Sequence, residues 1–247
     1  MKQKNIVRRH DELYLNENRY DKPKQLHLDI IDLIKARLAL KNLAQSSEVY
    51  ICDFGCAAGE FEYSLNLAFP TCNIEGYELL PNLVEKAKSQ VPNVKFKIGS
   101  VTDRVTCPQA HSDFTLLVGV LSIFDAFEPV LDNLIYWTKA GGDIYVHSLF
   151  NDFNLDVNIK YNYSEEYSHN VLETGWNIFS KKTVSNWLDA HPDVSSFEFH
   201  DFNINVELVK QEDQLRSWTF ENGAGKKLIT NGLCILQPHS ILHIIKK

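Results

Sequence analysis

The sequence has few of the features that mark nucleic-acid-binding, metal-binding or disulfide-rich proteins. It contains no run of lysine or arginine longer than two residues, and its formal net charge is −7, so the electrostatic footprint of a nucleic-acid-binding surface is missing. The five cysteines are odd in number and lack paired metal-type spacing. This usage predicts reduced thiols, and no cluster of metal ligands stands out along the chain.

Long apolar runs are missing as well. No apolar stretch approaches the roughly 18–20 residues that span a bilayer. Residues 1–10 are polar and lack the apolar core of a signal sequence. We therefore expect a soluble, cytoplasmic protein without a membrane span. A hydrophobic content of 44% is sufficient for a packed core, and 247 residues fit one large α/β domain.

The most informative stretch joins a short apolar run to a turn of small residues. Residues 49–52 form an apolar run, which indicates a buried strand of a parallel sheet. The run ends at Asp53, small residues follow from Gly55 to Gly59, and a segment with helical periodicity comes next. Such a turn lets a ligand approach the backbone, and the helix N-terminus presents free N–H groups. The unit is therefore suited to cradle a nucleotide.

The spacing of the small residues distinguishes two kinds of nucleotide site. A dinucleotide-binding turn reads Gly-x-Gly-x-x-Gly, and from Gly55 its second and third glycines would fall on Ala57 and Glu60. The order Asp53-x-Gly55-x-Ala57-x-Gly59 instead resembles the first motif of the class I S-adenosylmethionine-dependent methyltransferases. The resemblance implies S-adenosyl-L-methionine as the cofactor, with Asp53 orienting its methionine moiety.

Two further acids match this family in order and position. Glu78 ends a second predicted strand, where such folds hydrogen-bond the ribose hydroxyls of a bound nucleoside. A third strand over residues 94–98 leads to Asp103, which matches the family's acid for the adenine amino group, although a turn-capping role is the alternative. Leu79 and Val101 lie close to these acids in the sequence and are also expected to contact the cofactor.

The fourth predicted strand, residues 112–121, is nearly all apolar, as a central parallel strand must be. Gly119 near its end leaves room for a ligand, and the resemblance implies that this end lines the methionine part of the cofactor. The following residues read Val-Leu-Ser-Ile-Phe-Asp. The Asn/Asp-Pro-Pro-Tyr/Phe signature of methyltransferases that act on amino groups of nucleobases or glutamine is absent. This departure favours a small or glycan-like acceptor.

The catalytic base is expected at the carboxyl end of the fifth predicted strand, residues 143–150, or just after it, because ligands sit beyond the carboxyl ends of parallel strands. His147 is the first candidate, since histidine titrates near neutrality, and a structural hydrogen bond at the strand end is its alternative role. Tyr163 and Asp152 are further candidates. They belong to a polar, aromatic segment over residues 151–181 that we expect to form an acceptor lid, or else an ordinary surface excursion.

The predicted fold is an α/β three-layer sandwich with a seven-stranded, mostly parallel sheet. Residues 233–238 and 241–245 are expected to form a closing C-terminal antiparallel hairpin. The whole chain, 1–247, is predicted to be a single methyltransferase domain. It would comprise an N-terminal arm and helix (1–46), a cofactor-binding half (47–150), and an acceptor lid with closing strands (151–247). The arm is either loosely ordered or an ordered cap that carries Tyr14 and Tyr20.

These observations predict methyl transfer from S-adenosyl-L-methionine to a hydroxyl of a small molecule or of a sugar or glycan precursor. The acidic balance and the composition of residues 151–181 favour this acceptor, and nucleic acid is not expected as a partner. The alternatives are a methyltransferase that acts on an amine or on nucleic acid, a NAD-dependent oxidoreductase, and a non-catalytic module that binds S-adenosylmethionine.

Overall fold

The computed structural model describes residues 8–43, 46, 48–164 and 172–247. The α-helices in these ranges are α1 (Gln25–Leu40), α2 (Glu60–Ala68), α3 (Pro81–Gln90), α4 (Glu128–Trp137) and α5 (Lys181–Ala190). The strands are β1 (Tyr50–Phe54), β2 (Asn73–Glu78), β3 (Lys95–Ile98), β4 (Ser112–Val118), β5 (Thr138–Asn151), β6 (Lys160–Tyr161), β7 (Glu173–Thr174), β8 (Phe179–Ser180), β9 (Val194–Asp201), β10 (Trp218–Glu221), β11 (Lys227–Thr230) and β12 (His239–Lys246). Short 3₁₀ helices span Arg9–Asn16, Arg104–Thr106 and Leu121–Ile123.

The central sheet has the strand order β3-β2-β1-β4-β5-β12-β9. β1 to β5 pair in parallel, whereas β12 runs antiparallel to both β5 and β9. The short strand β8 extends the end of β5. This topology confirms the predicted α/β fold with a mostly parallel, seven-stranded sheet and antiparallel strands at the C-terminal end.

Alternate residues of each strand face two different helical layers, because strand side chains alternate across the sheet. Ile51 packs in a core with α1, α2 and α3, whereas its neighbour Cys52 packs in a second core with α4 and α5. The second core is anchored by Trp137, which is fully buried and stacks on Phe54 with ring centroids 4.3 Å apart. The three-layer arrangement therefore follows from apolar residues on both faces of the sheet.

The strand order positions the site. From β1 the chain crosses outward to β2 and β3, and then returns to the opposite side of β1 to form β4. At such a reversal, the crossovers leave a crevice beyond the carboxyl ends of the two inner strands.

Some local expectations were wrong. The apolar residues of the helical segment after Gly59 are not all buried: Leu65 is buried, whereas Leu67 near the end of α2 is 66% exposed. Residues 233–238 form no strand. Pro238 has no N–H to donate to a ladder, and its carbonyl accepts from the Phe150 N–H at 2.8 Å. β12 pairs antiparallel with β9 on one side and with β5 on the other. A long connection, rather than a tight hairpin, joins β9 to β12.

The described part of the N-terminal arm is ordered. Its 3₁₀ helix packs against α3, where Lys86 Nζ donates to the Leu15 carbonyl. Residues 1–7 of the arm, and Tyr167 and His169 of the expected lid, lie outside the described residues. Among the helices that the structure describes, none is long and apolar enough to cross a membrane.

Candidate functional site

A cavity of about 690 Å³ lies beyond the carboxyl ends of β1 and β4. Most of its wall comes from four parts of the chain: the arm with the start of α1, the turn after β1, the loops after β2, β3 and β4, and the segment 202–217 that follows β9. Four further residues complete the wall: His147, Trp176, Ile229 and His239. Ligand pockets in proteins measure about 300–1,000 Å³, so this volume suits a nucleoside-sized molecule together with a small second ligand.

The turn after β1 takes a backbone path that few residues can follow. Gly55 and Gly59 have φ angles of +84° and +82°, and Ala57 between them has a φ angle of +46°. A Cβ atom on Gly55 would lie 2.5 Å from Cγ2 of Val120. Small residues are therefore required here, and the exposed backbone of the turn forms the cavity floor.

Asp53 lies beneath this turn as a buried carboxyl group. Its side chain is nearly inaccessible, and Oδ1 has no hydrogen-bond partner among the described residues. Burial raises the pKa of Asp53 to about 7, and the nearby charge of Glu78 adds to this shift. Glu62 of α2 is fully buried close by, and burial together with the Asp53 charge raises its pKa well above the ordinary value. A buried carboxyl group that lines the cavity and keeps one oxygen, Oδ1, without a partner among the described residues fits a cationic group of a ligand.

Glu78 lines the cavity from the end of β2. One carboxylate oxygen accepts from the Ala57 N–H at 3.1 Å, and the other accepts from the Leu80 N–H at 3.0 Å. These bonds fix the carboxylate between the turn and α3. Burial is the main cause that raises its pKa. Since each carboxylate oxygen accepts more than one hydrogen bond, Glu78 can still accept from two neighbouring hydroxyls.

Four further residues were predicted to contact the cofactor, and three of them line the cavity. Leu79, Val101 and Gly119 line the cavity. Gly119 has a φ angle of +75°, and a Cβ atom there would meet no described atom within 4 Å, so it borders open space. Asp103 is exposed and does not line the cavity; its carboxylate caps the 3₁₀ helix Arg104–Thr106 by accepting from the Val105 N–H at 3.5 Å.

His147 lines the cavity from β5 and is 5% exposed. Its Nε2 lies 3.0 Å from Nδ1 of His239, and its own Nδ1 has no partner among the described residues. Burial lowers the pKa of His147 well below the ordinary value, and it lowers the pKa of His239 to about 4. Both rings are therefore neutral near pH 7, and a neutral imidazole can accept a proton.

The structure does not bring the other two candidate bases to the cavity. Asp152 is exposed and pairs with Lys181 at 2.8 Å. Tyr163 lies under the Arg9 guanidinium, 4.8 Å from its ring centroid, and is also absent from the cavity wall. Within the described part of residues 151–181, Trp176 alone lines the cavity, so the expected lid contributes little.

Much of the wall comes from residues that the sequence patterns did not indicate. Glu17 of the arm accepts from Arg216 and pairs with Lys24 at 3.0 Å, which ties the arm to segment 202–217 across the cavity. The Tyr14 ring lies under both cations, 5.4 Å from Arg216 Cζ and 5.8 Å from Lys24 Nζ. His27 of α1 is buried against Phe61, with ring centroids 4.5 Å apart. The tyrosines in an otherwise polar leader were the one available signal.

Comparisons with known proteins agree with this geometry. A family model described as a methyltransferase domain matches residues 23–191. The YcgJ protein of Bacillus subtilis has a similar structure, with a TM-score of 0.55 and 15% identity over 87% of this chain and 99% of that chain. The PH0226 protein of Pyrococcus horikoshii gives 0.55 and 14%, over 96% of this chain and 99% of that chain. A chain of the complex between the Haloferax volcanii Trm112 methyltransferase activator and the putative methyltransferase gives 0.55 and 10%, over 98% and 99%.

Proposed function

The chain belongs to the family of class I S-adenosylmethionine-dependent methyltransferases, and from this premise we propose that it methylates a hydroxyl of a small molecule, such as a sugar or a glycan precursor. Its cofactor is S-adenosyl-L-methionine. The NAD-dependent oxidoreductase and the non-catalytic module that the sequence left open are thereby set aside.

The cofactor would occupy the part of the cavity that is lined by the turn after β1 and by the loops after β2 and β3. The turn from Gly55 to Gly59 would hold the methionine moiety, with Asp53 facing its ammonium group and Gly119 leaving space beside it. Glu78 would accept from the ribose hydroxyls. The loop at Val101, rather than the exposed Asp103, would border the adenine. When bound, the cofactor supplies a methyl group that its sulfonium charge already activates.

The second half of the cavity has the character of an acceptor site. Tyr14, Trp176 and Phe202 line this region, and cationic side chains lie beside the first two rings: Arg216 and Lys24 over Tyr14, and Arg8 over Trp176. Aromatic rings stack on apolar faces of sugars and similar rings, whereas charged donors bind hydroxyl or anionic groups. The enclosure of this region by the arm and by segment 202–217 favours a small acceptor over a duplex.

The reaction requires alignment of the acceptor and removal of its proton. The cavity walls would hold the acceptor next to the cofactor, so that the two reactants are already aligned when the methyl group is transferred. The neutral His147 would take the hydroxyl proton, since a base must act as the oxygen becomes a nucleophile. His239 behind it would hold the ring and its tautomer.

The observation that carries this proposal is the neutral His147, whose Nδ1 has no hydrogen-bond partner among the described residues, at the wall of the cavity that the glycine turn also lines. A direct test incubates the purified protein and S-adenosyl-L-methionine with separate panels of sugars, nucleotide sugars, phenolic and aliphatic alcohols, amines, RNA and DNA. The readouts are formation of S-adenosylhomocysteine and mass spectrometry of the acceptor. We expect turnover with a hydroxyl compound and an O-methyl product.

Turnover confined to amines or to nucleic acid would overturn the choice of acceptor. A steep decrease in nucleic-acid binding with increasing salt would accompany the latter outcome. A Glu78→Gln variant in the same assay serves as the control for cofactor-dependent product, because its effect does not depend on the acceptor.

A further inference from the structure

Glu198, His200 and His243 bring three metal-ligating groups together at the edge of the sheet, away from the cavity. β9 and β12 are antiparallel neighbours, and His243 is the register partner of Glu198. His200 lies two residues beyond Glu198 and therefore faces the same side of the sheet. One ligand atom from each residue lies within 4.8 Å of the other two.

Two of the three distances within this cluster match the separation of neighbouring ligands around a tetrahedral metal ion. Glu198 Oε1 lies 3.3 Å from His200 Nε2 and 3.3 Å from His243 Nδ1. Two ligands at about 2.0–2.1 Å from a tetrahedral zinc ion are about 3.3 Å apart. The first contact is not a hydrogen bond, because His200 Nε2 is buried and has no hydrogen-bond partner among the described residues. The nitrogen is thus close to an oxygen without sharing a proton with it.

Asp143 sets the orientation of His243 from behind. Its Oδ1 lies 2.8 Å from His243 Nε2, and it is held in place by ion pairs with Arg37 and Lys41. His243 Nε2 donates to Asp143 Oδ1, and Nδ1 on the other side of the ring lies within hydrogen-bonding distance of Glu198 Oε1, at 3.3 Å. A metal ion bound to Nδ1 and Oε1 would take the place of the hydrogen between them. Carboxylate, imidazole and metal in this order form the usual outer support of a histidine ligand.

The surroundings of the cluster are acidic. A cleft beside His200 is lined by Asp29, Asp32 and Asp201. Asp32 pairs with Lys35 at 3.0 Å and Asp201 pairs with Lys181 at 3.1 Å, so Asp29 and Glu198 supply the negative charge that favours a cation here. The open side of the cluster leaves room for water to complete a coordination shell, since the Glu198 side chain is 62% exposed.

A second cluster of similar composition is already satisfied by protein groups. Cys52, Glu75 and His111 also place ligand atoms within 4.8 Å of one another. There Glu75 Oε2 receives Tyr77 Oη at 2.8 Å, Lys97 Nζ at 2.8 Å and His111 Nε2 at 3.1 Å. With its oxygen saturated and a lysine cation beside it, this cluster does not favour a metal ion.

We propose that Glu198, His200 and His243 form a binding site for a divalent transition metal ion of the zinc type, with Asp143 as the positioning residue of His243. Bound metal would clamp β9 to β12 immediately before Phe202, where the cavity wall of segment 202–217 begins. The site is separate from the methyl-transfer cavity, so it stands independently of the proposed acceptor.

The test measures zinc itself. The full-length protein, stripped with a chelator, is dialysed against zinc sulfate and analysed for bound metal, and cobalt is substituted to record its visible d–d bands. We expect equimolar zinc, a nitrogen and oxygen cobalt spectrum without thiolate charge-transfer bands, and a higher Tm with zinc. His200→Ala and Glu198→Gln should each weaken zinc binding by about tenfold or more. Both positions are partly exposed, so these variants should fold.

His111→Ala is the matched control, because it removes a histidine from the other cluster. Zinc binding and the zinc-dependent rise in Tm should remain in this variant. Loss of zinc in His111→Ala with retention in His200→Ala, or a cobalt spectrum dominated by thiolate bands, would overturn the proposal. Absence of equimolar zinc in the parent protein would overturn it as well.

Discussion

The imidazole rings of His147 and His239 are parallel, with 5° between their planes, 4.9 Å between their centroids and 3.0 Å between Nε2 of the first and Nδ1 of the second. Gln237 Oε1 lies 3.4 Å from the other nitrogen of His239 and also accepts from Ser217 Oγ at 2.8 Å. An amide oxygen only accepts, so His239 donates to it through Nε2 and accepts through Nδ1. His147 then donates through Nε2 and keeps the lone pair on Nδ1.

This tautomer predicts the behaviour of a His147→Asn variant. Asparagine cannot take a proton, so kcat with a hydroxyl acceptor should decrease by about 10²–10⁴-fold. The Kd of S-adenosyl-L-methionine should stay unchanged, because the proposal assigns His147 to the acceptor and not to the cofactor. Steady-state kinetics and calorimetry separate the two effects. His191→Asn is the control, since His191 lies outside the cavity wall and pairs with Asp132. An unchanged kcat and pH profile in His147→Asn would remove His147 as the base.

Asp53 predicts a pH dependence of cofactor binding. Its pKa of about 7 means that the carboxyl is protonated below pH 7 in the free protein, and it must ionise to face an ammonium group. Affinity for S-adenosyl-L-methionine should therefore rise with pH, by up to about tenfold per unit below pH 7, and level off above it. Calorimetry across this range measures it.

An Asp53→Asn variant should bind weakly and lose this dependence, whereas Asp189→Asn on the exposed face of α5 should keep it. If the parent protein bound the cofactor equally well at pH 5.5 and pH 8, the proton on Asp53 would have no part in binding.

Substitutions of Glu78 and of Asp103 should differ sharply in their effect on the affinity for S-adenosyl-L-methionine. Glu78→Gln keeps the shape of the side chain but removes the charge that would accept from the ribose. Its affinity should decrease by about 10–100-fold, the size of a charged hydrogen bond. Asp103→Ala should change the Kd by less than about threefold, because this side chain is exposed and off the cavity wall. Equal losses in the two variants would restore the adenine contact that the family pattern implies for Asp103.

Gly55→Ala and Gly119→Ala would both strain the backbone, but only at Gly55 would the new Cβ atom clash with a neighbouring side chain. Both positions have φ above +70°, which costs an alanine about 1–2 kcal/mol. At Gly55 the new Cβ also meets Val120 Cγ2 at 2.5 Å, so urea unfolding should show the larger loss there. A Val120→Ala partner should recover part of that loss in a double-mutant cycle. At Gly119 the methyl group meets no described atom within 4 Å, and the main effect should be weaker cofactor binding. Additive free energies for Gly55→Ala and Val120→Ala would contradict the clash.

The cofactor half was accessible to sequence reasoning because its parts are local. A strand, an acid and a turn with three residues at positive φ follow one another within a few residues, and each imposes its own residue type. The helix Pro81–Gln90 also has a local signature, since proline starts it and the buried residues Leu83, Val84 and Ala87 recur at helical spacing. The organisation of the whole chain as one domain stays a prediction.

The acceptor half was decided by tertiary structure. His239 meets His147 because β12 inserts between β5 and β9, and Glu17 reaches Arg216 because the arm folds over the cavity. Neither contact leaves a periodicity or a spacing in the chain. Conversely, Asp152 and Tyr163 had suitable chemistry and the expected place in the sequence, but neither side chain lines the cavity. Sequence alone determined the backbone cradle, where short-range sterics select the residues. Only the packing of distant segments determined which side chains line the rest of the cavity.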